Sequence, residues 1–153
     1  IAVEAIKVDE EYMVFTNNGR EHTGLIVSDW VKKIEQLGAG EILLTSVDHE
    51  GTGKGIDKQL LETVKGCVDI SINIHGGVGS FEDVYNAFYN LDIDAICISS
   101  LFHYNEIHST VPINKSILGN KSFLLSNKKR SDLKTISVKS LKDKLKDLKV
   151  KVR

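Results

Sequence analysis

The feature that most restricts the fold is a rhythm. Four short apolar runs, rich in β-branched residues, are each separated from the next by a stretch with helical spacing. The runs fall at 1–6, 41–46, 68–74 and 94–98. Between them, 28–37, 57–64 and 81–90 read as amphipathic helices, and each opens on a start signal. Ser28 precedes Trp30 and Val31, Asp57 precedes Leu60 and Leu61, and Ser80 precedes the acidic first turn Glu82-Asp83. The second, third and fourth runs are nearly continuously apolar, which suits parallel strands covered on both faces rather than strands with one wet side. The order is βαβαβαβ with a last helix near 139–148, and the expected class is α/β with a parallel sheet.

Two stretches depart from the rhythm. Tyr12-Met13-Val14-Phe15-Thr16 followed by Asn17-Asn18-Gly19 reads as a hairpin inserted ahead of the first helix, because Asn-Gly accepts the positive φ of a tight turn. Residues 107–135 mix Ser, Asn and Lys with Pro112, and read as a basic insert, a lid or a loop, between the fourth strand and its helix. Charge follows the same division: the first 114 residues carry 18 acidic against 7 basic side chains, and the remainder 3 against 13. The basic tail lacks interleaved aromatics, and Leu141, Leu145 and Leu148 share one helical face, so a solvated surface helix is expected and not a nucleic-acid partner.

A chain of 153 residues, 41% hydrophobic and 27% charged, has the composition of an ordinary globular domain, taken here as one domain over 1–153. No apolar window reaches the roughly 18 residues of a membrane span, and no secretory leader is evident, so no membrane association and a cytoplasmic location are expected. Cys67 and Cys97 sit in apolar runs without metal-ligand spacing and read as buried thiols. Beginning at Ile1 within an apolar run, the sequence reads as part of a longer polypeptide.

Parallel α/β folds collect their chemistry where the strands end and the βα loops converge. Those ends hold Glu4; the run from Thr45, Ser46, Asp48 and His49 through Glu50 to Gly53; His75-Gly76-Gly77; and Ser99-Ser100. Gly76-Gly77 lets the backbone approach an anion and aim N–H groups at it, and Ser99 and Ser100 supply further donors, so a phosphate site is expected there. Asp48 and Glu50 are candidates for proton transfer, against the alternative that Asp48 caps backbone and Glu50 is solvated. Glu4 stands out because a carboxylate within an apolar strand is costly unless it faces a polar cavity or a partner. His49 and His75 are candidate acids or bases; without a His-x-x-x-His pattern, no metal is expected.

Longer motifs then become specific: Val8-Asp9 through Thr16, Trp30-Val31, Gly38-Ala39-Gly40-Glu41-Ile42-Leu43-Leu44-Thr45-Ser46-Val47-Asp48, Glu50-Gly51-Thr52 with Gly55-Ile56-Asp57, Gly76-Gly77, and Ser100 through Ile107. Over residues 1–107, and again over 136–153, the chain resembles the C-terminal half of the cyclase subunits of imidazole glycerol phosphate synthase, (βα)8 barrels of histidine biosynthesis. The resemblance implies half a TIM barrel, (βα)4, carrying strands five to eight. It implies a partner glutaminase whose ammonia passes through the barrel interior and a phosphorylated small-molecule substrate. A cofactor is not implied. The complement would be an N-terminal half-barrel or a second copy of the chain.

Residue by residue, the resemblance puts Glu4 where the family carries a catalytic aspartate, and Glu50 where it carries another aspartate. Asp48 and Thr45, with Ser46 beside them, match the polar ring at the barrel mouth. One substrate phosphate falls on Gly76, Gly77, Ser99 and Ser100, with His75 in place of a small serine. Glu41 matches a charged gate for ammonia at the opposite end. Two other readings stay open: a paralogue delivering ammonia to amidation of a surface-polysaccharide sugar, and a non-catalytic half-barrel that binds phosphate or pairs with a partner, since four strands cannot close a barrel.

Overall fold

The computed structural model describes residues 1–91, 93–109 and 133–152. Its strands are β1 (Ala2–Val8), β2 (Glu11–Thr16), β3 (Glu21–Ile26), β4 (Glu41–Ser46), β5 (Ser71–His75) and β6 (Ala95–Cys97). Its helices are α1 (Val27–Gln36), α2 (Lys58–Lys65), α3 (Phe81–Asn90), α4 (Ser100–Ser109) and α5 (Val138–Asp147). The six strands form one sheet in the order β3-β2-β1-β4-β5-β6. β1, β4, β5 and β6 are parallel neighbours, while β2 runs antiparallel to β1 and β3 antiparallel to β2.

The parallel strands follow one another without the order reversing. Right-handed crossovers then place every connecting helix on the same face, as in a barrel; a doubly wound sheet reverses direction and covers both faces. Burial agrees with this. Val3, Ala5, Ile42, Leu44, Ile72 and Ile74 alternate along their strands and are buried in one cluster with Val31, Ile34, Leu60, Leu61 and Val64 of the helices. The intervening Glu4, Leu43, Thr45, Asn73 and His75 lie on the opposite face and are only partly covered. Each of the fully buried aliphatic side chains contributes about 1.5–3 kcal/mol of transfer free energy. The topology is that of half a (βα)8 barrel.

Ser28 does not start α1, which begins at Val27 behind Ile26 with no side-chain cap, but the starts of α2, α3 and α5 follow local chemistry. The Asp57 side chain accepts from Leu60 N at the head of α2, Ser80 and Asp83 form a reciprocal capping box at the head of α3, and Ser137 accepts from Ser140 N at the head of α5. A second cluster gathers Val78, Val84, Leu101, Leu141 and Leu145, so α5 docks through Leu141 and Leu145, whereas Leu148, expected on the same face, caps the helix end and is exposed. The hairpin forms as expected, with Asn17, Asn18 and Gly19 at φ of 57°, 59° and 74°.

Three expectations need correction. A helix starts at Ser100, directly after the fourth parallel strand, where an irregular connection was expected; its sequence SLFHYNEIHS has no apolar stripe, and among its described side chains Leu101 alone is fully buried. Of the 107–135 insert, 107–109 belong to α4, Lys134 N bonds to the Gly79 carbonyl, and 110–132 lie outside the described residues. The cysteines are not buried thiols: Cys67 is half-buried, its Sγ donating to the Thr63 carbonyl, and Cys97 is exposed on the open face.

Candidate active site

Strand register makes a continuous row of polar side chains across the open face. Glu4 pairs with Thr45, Thr45 with His75, and His75 with Cys97. Paired residues on neighbouring strands point to the same face, and a strand spacing of about 4.8 Å puts Glu4 and His75 roughly 10 Å apart. Thr45 Oγ1 lies 3.3 Å from His75 Nδ1. His75 is therefore the last residue of a strand, on the open face, and not the loop residue that its place beside Gly76 suggested. Below this row Leu43 pairs with Asn73, and at the far edge Glu41 pairs with Ser71. Glu41 is thus exposed at the opposite end of the sheet from Glu4.

The hairpin turn orients the strand carboxylate: Gly19 N donates to Glu4 Oε2 at 2.9 Å. Asp48 and Glu50, by contrast, are exposed in the β4–α2 loop and lie beyond the row. Asp48 Oδ2 accepts from Lys7 N at 2.9 Å, tying that loop to the end of β1. Ser46 is also removed from the mouth. At 1% exposure it faces the helices, and its hydroxyl donates to Asp57 Oδ2 at 3.1 Å. The strand alternation that turns Thr45 toward the open face necessarily turns Ser46 away from it.

Asp57 anchors a buried network that sequence reading saw only as a helix start. Its Oδ1 accepts from Tyr12 OH at 2.9 Å and from Leu60 N at 3.0 Å. Burial, then the hydrogen bond to Asp57 and the negative charges of Asp57 and Asp48, push the Tyr12 phenol well above its ordinary range. His49 adds a contact, Nε2 standing 4.0 Å from Asp57 Oδ2. Only the clustering of Tyr12, Ser46, His49 and Asp57 within motif segments hinted at this.

Gly76 and Gly77 make the turn that follows β5, at φ of 104° and 91°. A side chain at Gly76 would meet the Ser46 carbonyl oxygen at 2.7 Å, and one at Gly77 the Gly55 carbonyl oxygen at 2.0 Å. The β4–α2 loop therefore lies directly on the turn, and Gly55 N donates to the Gly77 carbonyl at 2.8 Å. Two helix N-termini adjoin the site. That of α3 is already filled: Asp83 Oδ2 accepts from Gly79 N and Ser80 N, both at 2.9 Å. That of α4 has no acidic residue in its first turn, and the Ser99 carbonyl accepts from Phe102 N and His103 N. Orphan N–H groups at such a helix start favour an anion.

The fold places the chain among (βα)-barrel proteins, and the polar row lies at the strand ends where enzymes of that fold assemble their active sites. The family model for histidine biosynthesis proteins matches residues 1–108, and the chain belongs to that family. Among its relatives are proteins named imidazole glycerol phosphate synthase subunit HisF. That of Prochlorococcus marinus strain MIT 9515 is 43% identical over 82% of this chain and 49% of its own length. That of Alkaliphilus metalliredigens is 46% identical over 65% of this chain and 39% of its own. That of Thermotoga sp. strain RQ2 is 42% identical over 70% and 42%. The chain spans about half the length of the curated relatives it matches. Among the described residues no helix is long and apolar enough to cross a membrane, and no cluster of three or more His, Cys, Asp or Glu side chains could hold a metal ion.

Proposed function

We propose that this chain is the strand-five-to-eight half of a cyclase subunit of imidazole glycerol phosphate synthase. The enzyme takes ammonia from a glutaminase subunit and closes the imidazole ring of imidazole glycerol phosphate, releasing an aminoimidazole carboxamide ribotide. One observation carries the reading: an oriented carboxylate, Glu4, stands in register with Thr45 and His75 on the same edge as a glycine turn and a helix start suited to phosphate. Ring closure is a sequence of proton transfers around a C–N bond that forms and one that breaks. Glu4 is positioned to give and take those protons, while Gly76, Gly77, Ser99 and Ser100 hold the phosphate with N–H and O–H donors.

Thr45 and His75 form the floor between these two functions. Asp48 acts by tethering the loop to β1, and Glu50 stands at the rim, reachable only by a substrate that extends over the loop. Glu41 belongs to the opposite edge, where ammonia enters and the glutaminase docks. The remaining four strands come from an N-terminal half-barrel, which brings the other catalytic carboxylate. The reading calls for no metal or cofactor.

The test is ammonium-driven turnover of the phosphoribosyl-formimino intermediate by the full-length protein, followed through the released carboxamide ribotide. Glu4→Gln should lower kcat by about 10²-fold or more, the range for a lost general acid–base group, with KM nearly unchanged. Absence of turnover in the unsubstituted protein would sink the cyclase reading. Unchanged turnover in Glu4→Gln would remove the carboxylate from the reaction.

A further inference from the structure

His49 has a place in the site that neither the row nor the phosphate turn accounts for. Its Nδ1 lies 2.8 Å from the Gly55 carbonyl oxygen. A carbonyl only accepts, so Nδ1 carries the ring proton and Nε2 is the nitrogen that gains one when the ring becomes charged. Nε2 stands 4.0 Å from Asp57 Oδ2. That oxygen holds one hydrogen bond, from Ser46, whereas Oδ1 already holds two, from Tyr12 and Leu60 N. Asp57 therefore has room for one further donor on the side that faces His49. A neutral ring offers it a lone pair; a charged ring offers it N–H.

The same side chain rests on the phosphate turn. A Cβ at Gly77 would lie 3.1 Å from His49 Cβ and 2.0 Å from the Gly55 oxygen that His49 holds, and Gly55 N in turn bonds to the Gly77 carbonyl. A chain of contacts thus runs from Asp57 through His49 and Gly55 to Gly77. We propose that His49 is a positioning residue: in its charged form it bridges Asp57 and Gly55 and clasps the β4–α2 loop onto the Gly76-Gly77 turn, raising that turn's affinity for a dianion. The affinity part rests on the phosphate reading of the preceding subsection; the clasp does not.

The charged and titratable groups tied to this cluster are Asp57 at the head of α2, Tyr12 on β2, which donates to it, and Asp83 on α3, whose Oδ1 would lie 3.3 Å from a Cβ at Gly55; Asp48, Glu50 and Lys54 share the loop with His49. His75 is the other imidazole at this edge of the sheet, so variants at His49 are needed to separate the two.

Inorganic sulfate is the probe, because its charge does not change between pH 5.5 and 8.0. With the full-length protein, sulfate affinity should fall about fivefold across that interval, the order expected for losing one nearby positive charge at a partly solvated site. His49→Gln, which keeps a donor for Gly55 but no charge, should bind weakly at both pH values and lose more than half of that dependence. His49→Arg should bind tightly at both. A His49→Gln protein with the full pH dependence overturns the proposal. If the unsubstituted protein binds no sulfate, the phosphate reading fails, and hydrogen exchange at the Gly55 amide decides the clasp. Greater protection at pH 5.5 than at 8.0, after correction for intrinsic rates, present with His49 and lost in His49→Gln, upholds it; equal behaviour of the two proteins overturns it.

Discussion

Gly77→Ala should destabilise the protein by about 2–4 kcal/mol, and the structure supplies its own control. At φ of 91° an alanine costs about 1–2 kcal/mol in backbone strain alone. The added methyl would also sit 2.0 Å from the Gly55 carbonyl oxygen, where ordinary contact begins at 3.4 Å, so the β4–α2 loop must retreat. That retreat breaks the 2.8 Å bond from Gly55 N to the Gly77 carbonyl, a loss of about 1 kcal/mol, and spoils the packing of the loop besides. Gly24 has a similar φ of 79° but nothing within 4 Å of an added Cβ. Gly24→Ala therefore carries the backbone term without the collision. Urea unfolding of both variants, read as midpoint shifts at constant slope, should place Gly77→Ala about 1–2 kcal/mol below Gly24→Ala. Equal losses would refute the claim that the two loops are held in direct contact, and with it the route by which the loop supports the phosphate turn.

Further outcomes follow from the same geometry. Ser100→Asp puts a negative charge at the head of α4 and should weaken phosphate binding at least tenfold by titration calorimetry; unchanged affinity would take this helix start out of the site. Tyr12→Phe removes the hydroxyl that Asp57 accepts from and should cost about 1 kcal/mol at neutral pH. Because the folded phenol is raised above its ordinary 10.0, the unfolded chain loses that proton first. Stability should therefore decline above pH 10 more steeply in the unsubstituted protein than in Tyr12→Phe, and parallel declines would count against the buried network. His75→Ser tests the floor: kinetics with KM altered and kcat kept would mark His75 as a substrate contact, and no change in either would leave it a structural neighbour of Thr45.

Much of the architecture was legible along the chain because it rests on local physics. Apolar-rich, β-branched segments at 41–46 and 68–74, each followed by a helical pattern, announced parallel strands, Ser80 and Asp57 announced helix starts, and Asn17-Asn18-Gly19 announced a tight turn that now also holds Glu4. The helix at Ser100–Ser109 was not legible, since its residues show no stripe and it meets the second cluster through the adjacent Leu101 and Phe102, not through residues at helical spacing. Of the candidate site, Glu4, Thr45, Gly76, Gly77, Ser99 and Ser100 were found at the strand ends. The grouping of Tyr12, Ser46, His49 and Asp57 was not, because its members come from a hairpin, a strand, a loop and a helix start that meet only when the chain folds.

The sequence by itself determined most of the strands and helices, α4 excepted, that β1, β4, β5 and β6 run parallel, and which side chains stand at their ends, because propensity, capping and burial pattern act within a few residues. Which face each of those side chains takes was decided by the tertiary structure. In Glu41-Ile42-Leu43-Leu44-Thr45-Ser46 the apolar residues Ile42, Leu43 and Leu44 are consecutive, so alternation alone does not say whether Thr45 or Ser46 looks into the open face. Helices packing on one side, and the pairing of Glu4 with Thr45 and Thr45 with His75, settle it. One residue of register separates a hydroxyl in the candidate site from one buried against Asp57.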